Sequence, residues 1–175
     1  VRAGDGAAAL ALLEREPVQG ADYWRAQALA LEGRHGEAEA LLTRRLERGD
    51  AGEREKLLLA QLFLRGANEV QARGMALQLL NSASEEVRPK ALLILAEASL
   101  AMGEAQAALE ALPDSGETEA AHLRARALLD LGRGEEAEAV LRGIITARRG
   151  GESLVHSASL MRVEARSEEH TSELQ

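Results

Sequence analysis

Alanine and leucine follow glycine at a fixed spacing several times along this chain. The frame of glycine, four residues, alanine, three residues and leucine occurs as Gly33, Ala38 and Leu42, as Gly103, Ala108 and Leu112, as Gly132, Ala137 and Leu141, and as Gly4, Ala9 and Leu13. Glycine ends a helix by accepting a left-handed conformation, and alanine and leucine four residues apart share one helical face. The frame therefore predicts a helix before each glycine and a closely packed second helix after it.

The pattern predicts helices, in pairs, over nearly the whole chain. We expect a first helix over about 5–15, pairs at about 20–32 with 35–48, 51–65 with 68–82, 86–102 with 104–112 and 117–131 with 134–148, and a last helix over about 152–165. In the second pair, Gly66 lies near the expected place but Ala76 and Leu80 are displaced from the frame. This predicts a longer turn or extra residues around 67–73.

The sequence also repeats itself over a longer distance. A gapless shift of 99 residues aligns residues 24–42 with 123–141, with 11 of 19 positions identical, including glycine and two arginines. Ninety-nine residues are three periods of 33, and helix-turn-helix repeats have a period of about 34 residues. The shift therefore predicts an array of such units.

In its glycine-alanine frame and its period, the chain resembles the tetratricopeptide repeat family over about residues 4–165. The departures are Arg25 and Arg124, which occupy positions where the family usually has large apolar residues. The resemblance implies an all-α fold, a right-handed α-α superhelix of helical hairpins that is truncated at both ends. Its predicted domain is 1–165, with a partial repeat at 1–16, repeats at about 20–48, 51–82, 86–112 and 117–148, and a partial repeat at 152–165.

The C-terminal decapeptide is predicted to be foreign to the protein. Residues 166–175 resemble the translation of a sequencing-library adapter, and the chain begins with Val1 rather than Met. We therefore expect a fragment, with a non-native tail at 166–175. Because end units of such arrays normally carry polar caps, the fragment is expected to fray and to self-associate when expressed alone.

Composition narrows the classes of partner and compartment. Aromatic residues make up 2% of the chain, so alanine and leucine must fill the interior, and the net charge of -8 disfavours nucleic acid. The longest apolar run is too short to cross a membrane. The absence of cysteine fits a reducing cytoplasm and a bacterial periplasm equally well, and the excess of arginine over lysine suggests a GC-rich bacterial gene.

The sequence carries none of the common catalytic, metal or phosphate-binding motifs. Adjacent acids such as Glu135 and Glu136 lie near predicted helix starts, where the helix dipole stabilises carboxylates. We therefore expect no enzyme activity, no cofactor and no metal.

In the resembled family, the first helices of successive repeats line a concave groove that receives a peptide. On that inferred face the expected partner-binding residues are Tyr23, Gln27, Gln61, Leu64, Leu93, Glu97, His122 and Arg126. For the leucines, packing against the next repeat is the favoured interpretation and contact with a partner is the alternative.

The resemblance thus implies a non-enzymatic scaffold that binds a protein or peptide. Two alternatives remain open from sequence: the helical arm of a larger bacterial enzyme or regulator, and a periplasmic adaptor in envelope assembly.

Overall fold

The computed structural model describes residues 5–15, 20–81, 84–112 and 117–147, and these residues form nine α-helices and no strand. The helices are α1 Asp5–Arg15, α2 Ala21–Leu31, α3 His35–Glu47, α4 Glu53–Arg65, α5 Glu69–Leu80, α6 Val87–Ala101, α7 Ala105–Ala111, α8 Thr118–Asp130 and α9 Gly134–Ala147. The predicted all-α class is confirmed, and each helix begins and ends within two residues of its predicted bounds. The predicted helix at 152–165 and the adapter-like tail lie outside the described residues.

Neighbouring helices pack as hairpins. Helix α2 contacts α3, α4 contacts α5, and α8 contacts α9. Helix α2 also contacts α4, although α3 lies between them in the chain. Contacts divide the chain into two compact units, residues 1–94 and 95–175. The grouping of all pairs into one array stays a prediction. In the described residues, no helix is long and apolar enough to cross a membrane.

Three of the hairpin turns have the geometry that the glycine frame predicts. Gly33, Gly103 and Gly132 adopt left-handed φ values of 77°, 76° and 69°. The residue after each glycine donates its backbone N–H to a carbonyl five positions earlier, as in the 2.9 Å bond from Arg34 to Leu29. This pattern closes the last turn of the first helix and reverses the chain.

The frame residues after these glycines fill the joint between paired helices. Ala38, Ala108 and Ala137 are fully buried, as are Leu42 and Leu141. An alanine at the crossing lets two helices approach closely, and the leucine one turn later packs into the space beside it. Alanine and leucine therefore make up most of the buried core, as the low aromatic content requires.

The prediction of a longer turn in the second pair is wrong. Only Gly66, Ala67 and Asn68 separate α4 from α5, and Ala67 takes the left-handed conformation with φ 56°. Asn68 donates its N–H to the carbonyl of Phe63 at 2.8 Å, as in the other turns. Ala67 therefore stands where the other units have glycine. Ala72 and Ala76, both fully buried, then occupy the alanine and leucine positions of the frame.

Replacing Ala67 with glycine is expected to stabilise the protein by about 1 kcal/mol. A left-handed alanine costs roughly 1–2 kcal/mol, from which the greater freedom of glycine in the unfolded chain removes about 0.4–1 kcal/mol. The Tm should rise by about 2–4 °C, measured by circular dichroism.

The matched control is the reverse change, Gly132→Ala. No atom lies within 4 Å of a Cβ built at Gly132, so its expected destabilisation is conformational and not steric. An unchanged or lower Tm for Ala67→Gly, beside a lowered Tm for Gly132→Ala, would contradict this explanation of the second turn.

Candidate peptide-binding surface

The first helices of the N-terminal unit enclose a cleft of about 300 Å³, here named the α2–α4 cleft. Helices α2 and α4 form its two walls, and the start of α6 closes one end. The lining residues are Tyr23, Trp24, Gln27, Arg54, Leu57, Leu58, Gln61, Glu86, Val87 and Lys90. Aromatic, amide and charged groups thus line the cleft together with three aliphatic residues.

An aromatic pair stands at the α2 wall of this cleft. The rings of Tyr23 and Trp24 lie 5.1 Å apart between centroids at 72°, an edge-to-face arrangement that favours both rings. Trp24, the chain's single tryptophan, is 52% exposed. Exposed tryptophan beside a cavity is the kind of residue that anchors a partner in protein interfaces.

Three charged side chains stand at the opposite side of the cleft. Glu86 accepts a hydrogen bond from Arg54 at 3.4 Å, and its other carboxylate oxygen lies 3.8 Å from the ammonium of Lys90. All three side chains are more than half exposed, so these pairs contribute little to folding. Two cations against one anion give the mouth of the cleft a net positive charge on an acidic chain.

Ion pairs behind the cleft hold its walls in place. Arg45 on α3 lies 3.0 Å from Asp22 on α2 and 3.6 Å from Glu55 on α4. Its guanidinium also donates to the backbone carbonyl of Asp50 at 2.8 Å. Asp22 precedes Tyr23 and Glu55 follows Arg54, so this single arginine fixes the two helix starts that carry the cleft's aromatic and cationic residues.

The structure brings together three of the residues predicted for partner binding. Tyr23, Gln27 and Gln61 all line the α2–α4 cleft. Leu64 lies about one turn beyond Gln61 on α4 and is half-buried, while Leu93 on α6 is only 9% exposed. A contact role for these two leucines stays a prediction.

The remaining predicted residues lie in the second unit. Glu97 on α6 and Arg126 on α8 are exposed, and the Arg126 guanidinium lies 3.7 Å from Asp130. His122 is half-buried one turn before Arg126. Burial lowers the pKa of His122 below its usual value, and the charge of Arg126 lowers it further, so the ring is neutral at neutral pH.

Sequence reasoning missed Trp24, Arg54 and Lys90 as lining residues. Lys90 lies three positions before the predicted residue Leu93, and Arg54 lies seven positions before the predicted residue Gln61, so extending the predicted face by one or two turns toward each helix start finds them. Trp24 follows Tyr23 directly and is not on the same narrow stripe. The pattern gave no signal for it.

The second unit contains a larger cleft of about 600 Å³, here named the α7–α9 cleft. Leu112 and Leu128, both buried, form its base, and Leu109, Ala139 and Val140 form its sides. Its rim carries Arg124, Arg133 and Glu136. None of these residues belongs to the stripe predicted for partner binding.

The described residues hold no group of three or more side chains suited to a metal ion. The clefts instead offer aliphatic surface, amides and paired charges. Such groups recognise the side chains and backbone of another chain.

Comparison with known families supports the helical-repeat class. The tetratricopeptide repeat family model matches residues 19–44 and 118–142, which begin 99 residues apart and cover α2 with most of α3 and α8 with part of α9. Neither the search of curated proteins nor the search of solved structures found a match. The chain is therefore a protein of helical hairpins with two segments similar to tetratricopeptide repeats.

Proposed function

We propose that this protein is a non-enzymatic scaffold that binds a peptide or protein partner on the face of its first helices, with the α2–α4 cleft as the anchor site. The observation that carries the proposal is the convergence of Trp24, Gln27 and Gln61 on one cavity. Its size, about 300 Å³, is at the lower end for ligand pockets and fits one or two side chains of a longer partner.

The two glutamines supply the polar part of the proposed recognition. Each carboxamide offers two donors and one acceptor oxygen, which match the carbonyl and N–H groups of a peptide backbone. Gln27 on α2 and Gln61 on α4 both line this one cleft, so we expect a bound segment to bond to both. The similarity to tetratricopeptide repeats, which generally mediate protein interactions, supports the same function.

The experiment selects binders from a displayed library of random 12-residue peptides on the intact chain. The selected peptides are then tested against the variant Gln27→Ala with Gln61→Ala. Each lost hydrogen bond is worth about 0.5–1.5 kcal/mol, so affinity should fall about tenfold or more, measured by fluorescence anisotropy.

The matched control replaces Gln71 and Gln78, both exposed on α5 and absent from the cleft. It should bind the selected peptides like the unchanged protein. Circular dichroism must show the same helix content for both variants. Equal affinity of the cleft variant and the control, or a library that yields no binder, would refute the proposed site.

A further inference from the structure

The lining of the α7–α9 cleft recurs 99 residues earlier in the sequence. On the rim, Arg124, Arg133 and Glu136 have the identical counterparts Arg25, Arg34 and Glu37. Of the five aliphatic lining residues, four have identical counterparts, Leu10, Leu13, Leu29 and Ala40, while Leu41 corresponds to Val140. Seven of the eight residues that line the cleft therefore have identical counterparts.

The geometry of one ion pair on the rim is repeated along with its residues, while Arg124 and its counterpart Arg25 differ in their partners, the carbonyl of Leu112 and the carboxylate of Asp22. Arg133 donates to Glu136 through Nε and Nη2 at 2.6 and 2.7 Å, and Arg34 donates to Glu37 through the same atoms at 2.7 and 2.6 Å. In each pair the hydrogen bond raises the pKa of the arginine and lowers that of the glutamate, so both groups stay charged at neutral pH.

A contribution to folding stability explains only weakly why the Arg34–Glu37 and Arg133–Glu136 pairs are identical in the two similar segments. Exposed ion pairs typically contribute little to the free energy of folding, and the bidentate geometry places these two pairs at the upper end of the range for such pairs. Other exposed positions in the same stretch have changed, because Leu31, Glu32 and Gly36 correspond to Asp130, Leu131 and Glu135. The three rim residues are thus identical in the two segments, whereas these neighbouring exposed residues differ.

We propose that the α7–α9 cleft is a second binding site, which takes an acidic peptide segment with an aliphatic side chain next to a glutamate or aspartate. The buried base of Leu112 and Leu128 receives the aliphatic group. The rim has two guanidinium groups and one carboxylate, a net positive charge on a chain of net charge -8. Arg124 donates to the carbonyl of Leu112 at 3.4 Å, which places its charge beside that base.

This site is separate from the α2–α4 cleft, and its chemistry differs. Amides and an exposed tryptophan dominate the first cleft, whereas leucines and arginines dominate the second. The second site can therefore fail its test without affecting the first.

The test uses the synthetic peptide acetyl-Gly-Glu-Leu-Glu-Leu-Gly-amide and the intact chain with labelled methyl groups. Addition of the peptide should shift the methyl resonances of Leu128 and Val140. The isosteric peptide with glutamine for both glutamates should bind about fivefold more weakly, the effect expected for one exposed charge pair in water. Added salt should reduce the difference.

Ala139→Glu provides the discriminating variant. Ala139 is exposed at the side of the cleft, so a glutamate there should leave the fold intact while repelling the acidic peptide. Binding should fall at least fivefold. The matched control is Ala101→Glu, at an exposed alanine of α6 outside the cleft, which should bind normally.

Three results would each overturn the proposal. The first is the absence of any shift at Leu128 and Val140 with the acidic peptide. The second is equal binding of the acidic and the amide peptides. The third is equal binding of the acidic peptide by Ala139→Glu and Ala101→Glu.

Discussion

Trp24→Ala is expected to lower affinity for peptides selected on this protein by about thirtyfold. Replacing an anchor residue of this type with alanine typically weakens the binding free energy by about 2 kcal/mol or more. A loss of about 2 kcal/mol corresponds to a roughly thirtyfold increase in Kd. The indole is half exposed in the free protein and lies edge-to-face against Tyr23, so it is accessible to a partner. Affinity is measured by calorimetric titration of each selected peptide.

The control for this change is Leu31→Ala on the same helix. Leu31 is 55% exposed and does not line the α2–α4 cleft, so its loss should leave peptide affinity unchanged. Trp24→Phe should retain part of the affinity, because a smaller ring still covers the base of the cleft. Equal affinities for Trp24→Ala and Leu31→Ala would remove Trp24 from the binding surface.

Leu42→Ala and Leu141→Ala are each expected to destabilise the protein by about 2–5 kcal/mol. Both leucines are fully buried at the joint of a hairpin, where truncation leaves a cavity as well as losing apolar burial. Denaturant unfolding should show the loss as a lower midpoint. Leu77→Ala on α5 is the control, since Leu77 is 48% exposed and should cost far less.

The two buried leucines should also act locally. In repeat proteins each unit contacts its neighbours, so stability is approximately a sum of local terms. Hydrogen exchange should therefore quicken most in α2, α3 and α4 for Leu42→Ala, and in α8 and α9 for Leu141→Ala. Uniform loss of protection along the whole chain in both variants would contradict a local effect.

The helices and three of the turns were predictable because their signals are local. A glycine at the left-handed position can be read directly, and the buried alanine and leucine follow it at fixed spacing. The second turn was not predictable, because Ala67 adopts a conformation that alanine normally avoids. Taking Gly66 as the frame glycine moved the predicted alanine one position too early and produced the false longer turn.

The residues of the candidate site that share a face of one helix were predictable, but the contacts between residues of different helices were less so. A step of four residues correctly placed Tyr23 and Gln27 on one face of α2. The cleft also depends on how α2, α4 and the start of α6 pack, which brings Lys90 beside Glu86 and Arg54. No spacing within one helix contains that information. The retained lining of the α7–α9 cleft was present in the sequence, but only the structure shows that those positions surround one cavity.

The exposed indole at the α2–α4 cleft can also serve as an intrinsic fluorescence probe of binding. Because the chain has one tryptophan, all indole emission comes from this single place. A ligand that covers Trp24 removes water from the ring and should shift its emission toward the blue. Tyr23, 5.1 Å away, can pass excitation to the same ring, so both of these aromatic side chains report on the same cavity. Occupancy of this cleft can thus be followed in the unmodified protein, whereas the tryptophan-free α7–α9 cleft needs the methyl resonances.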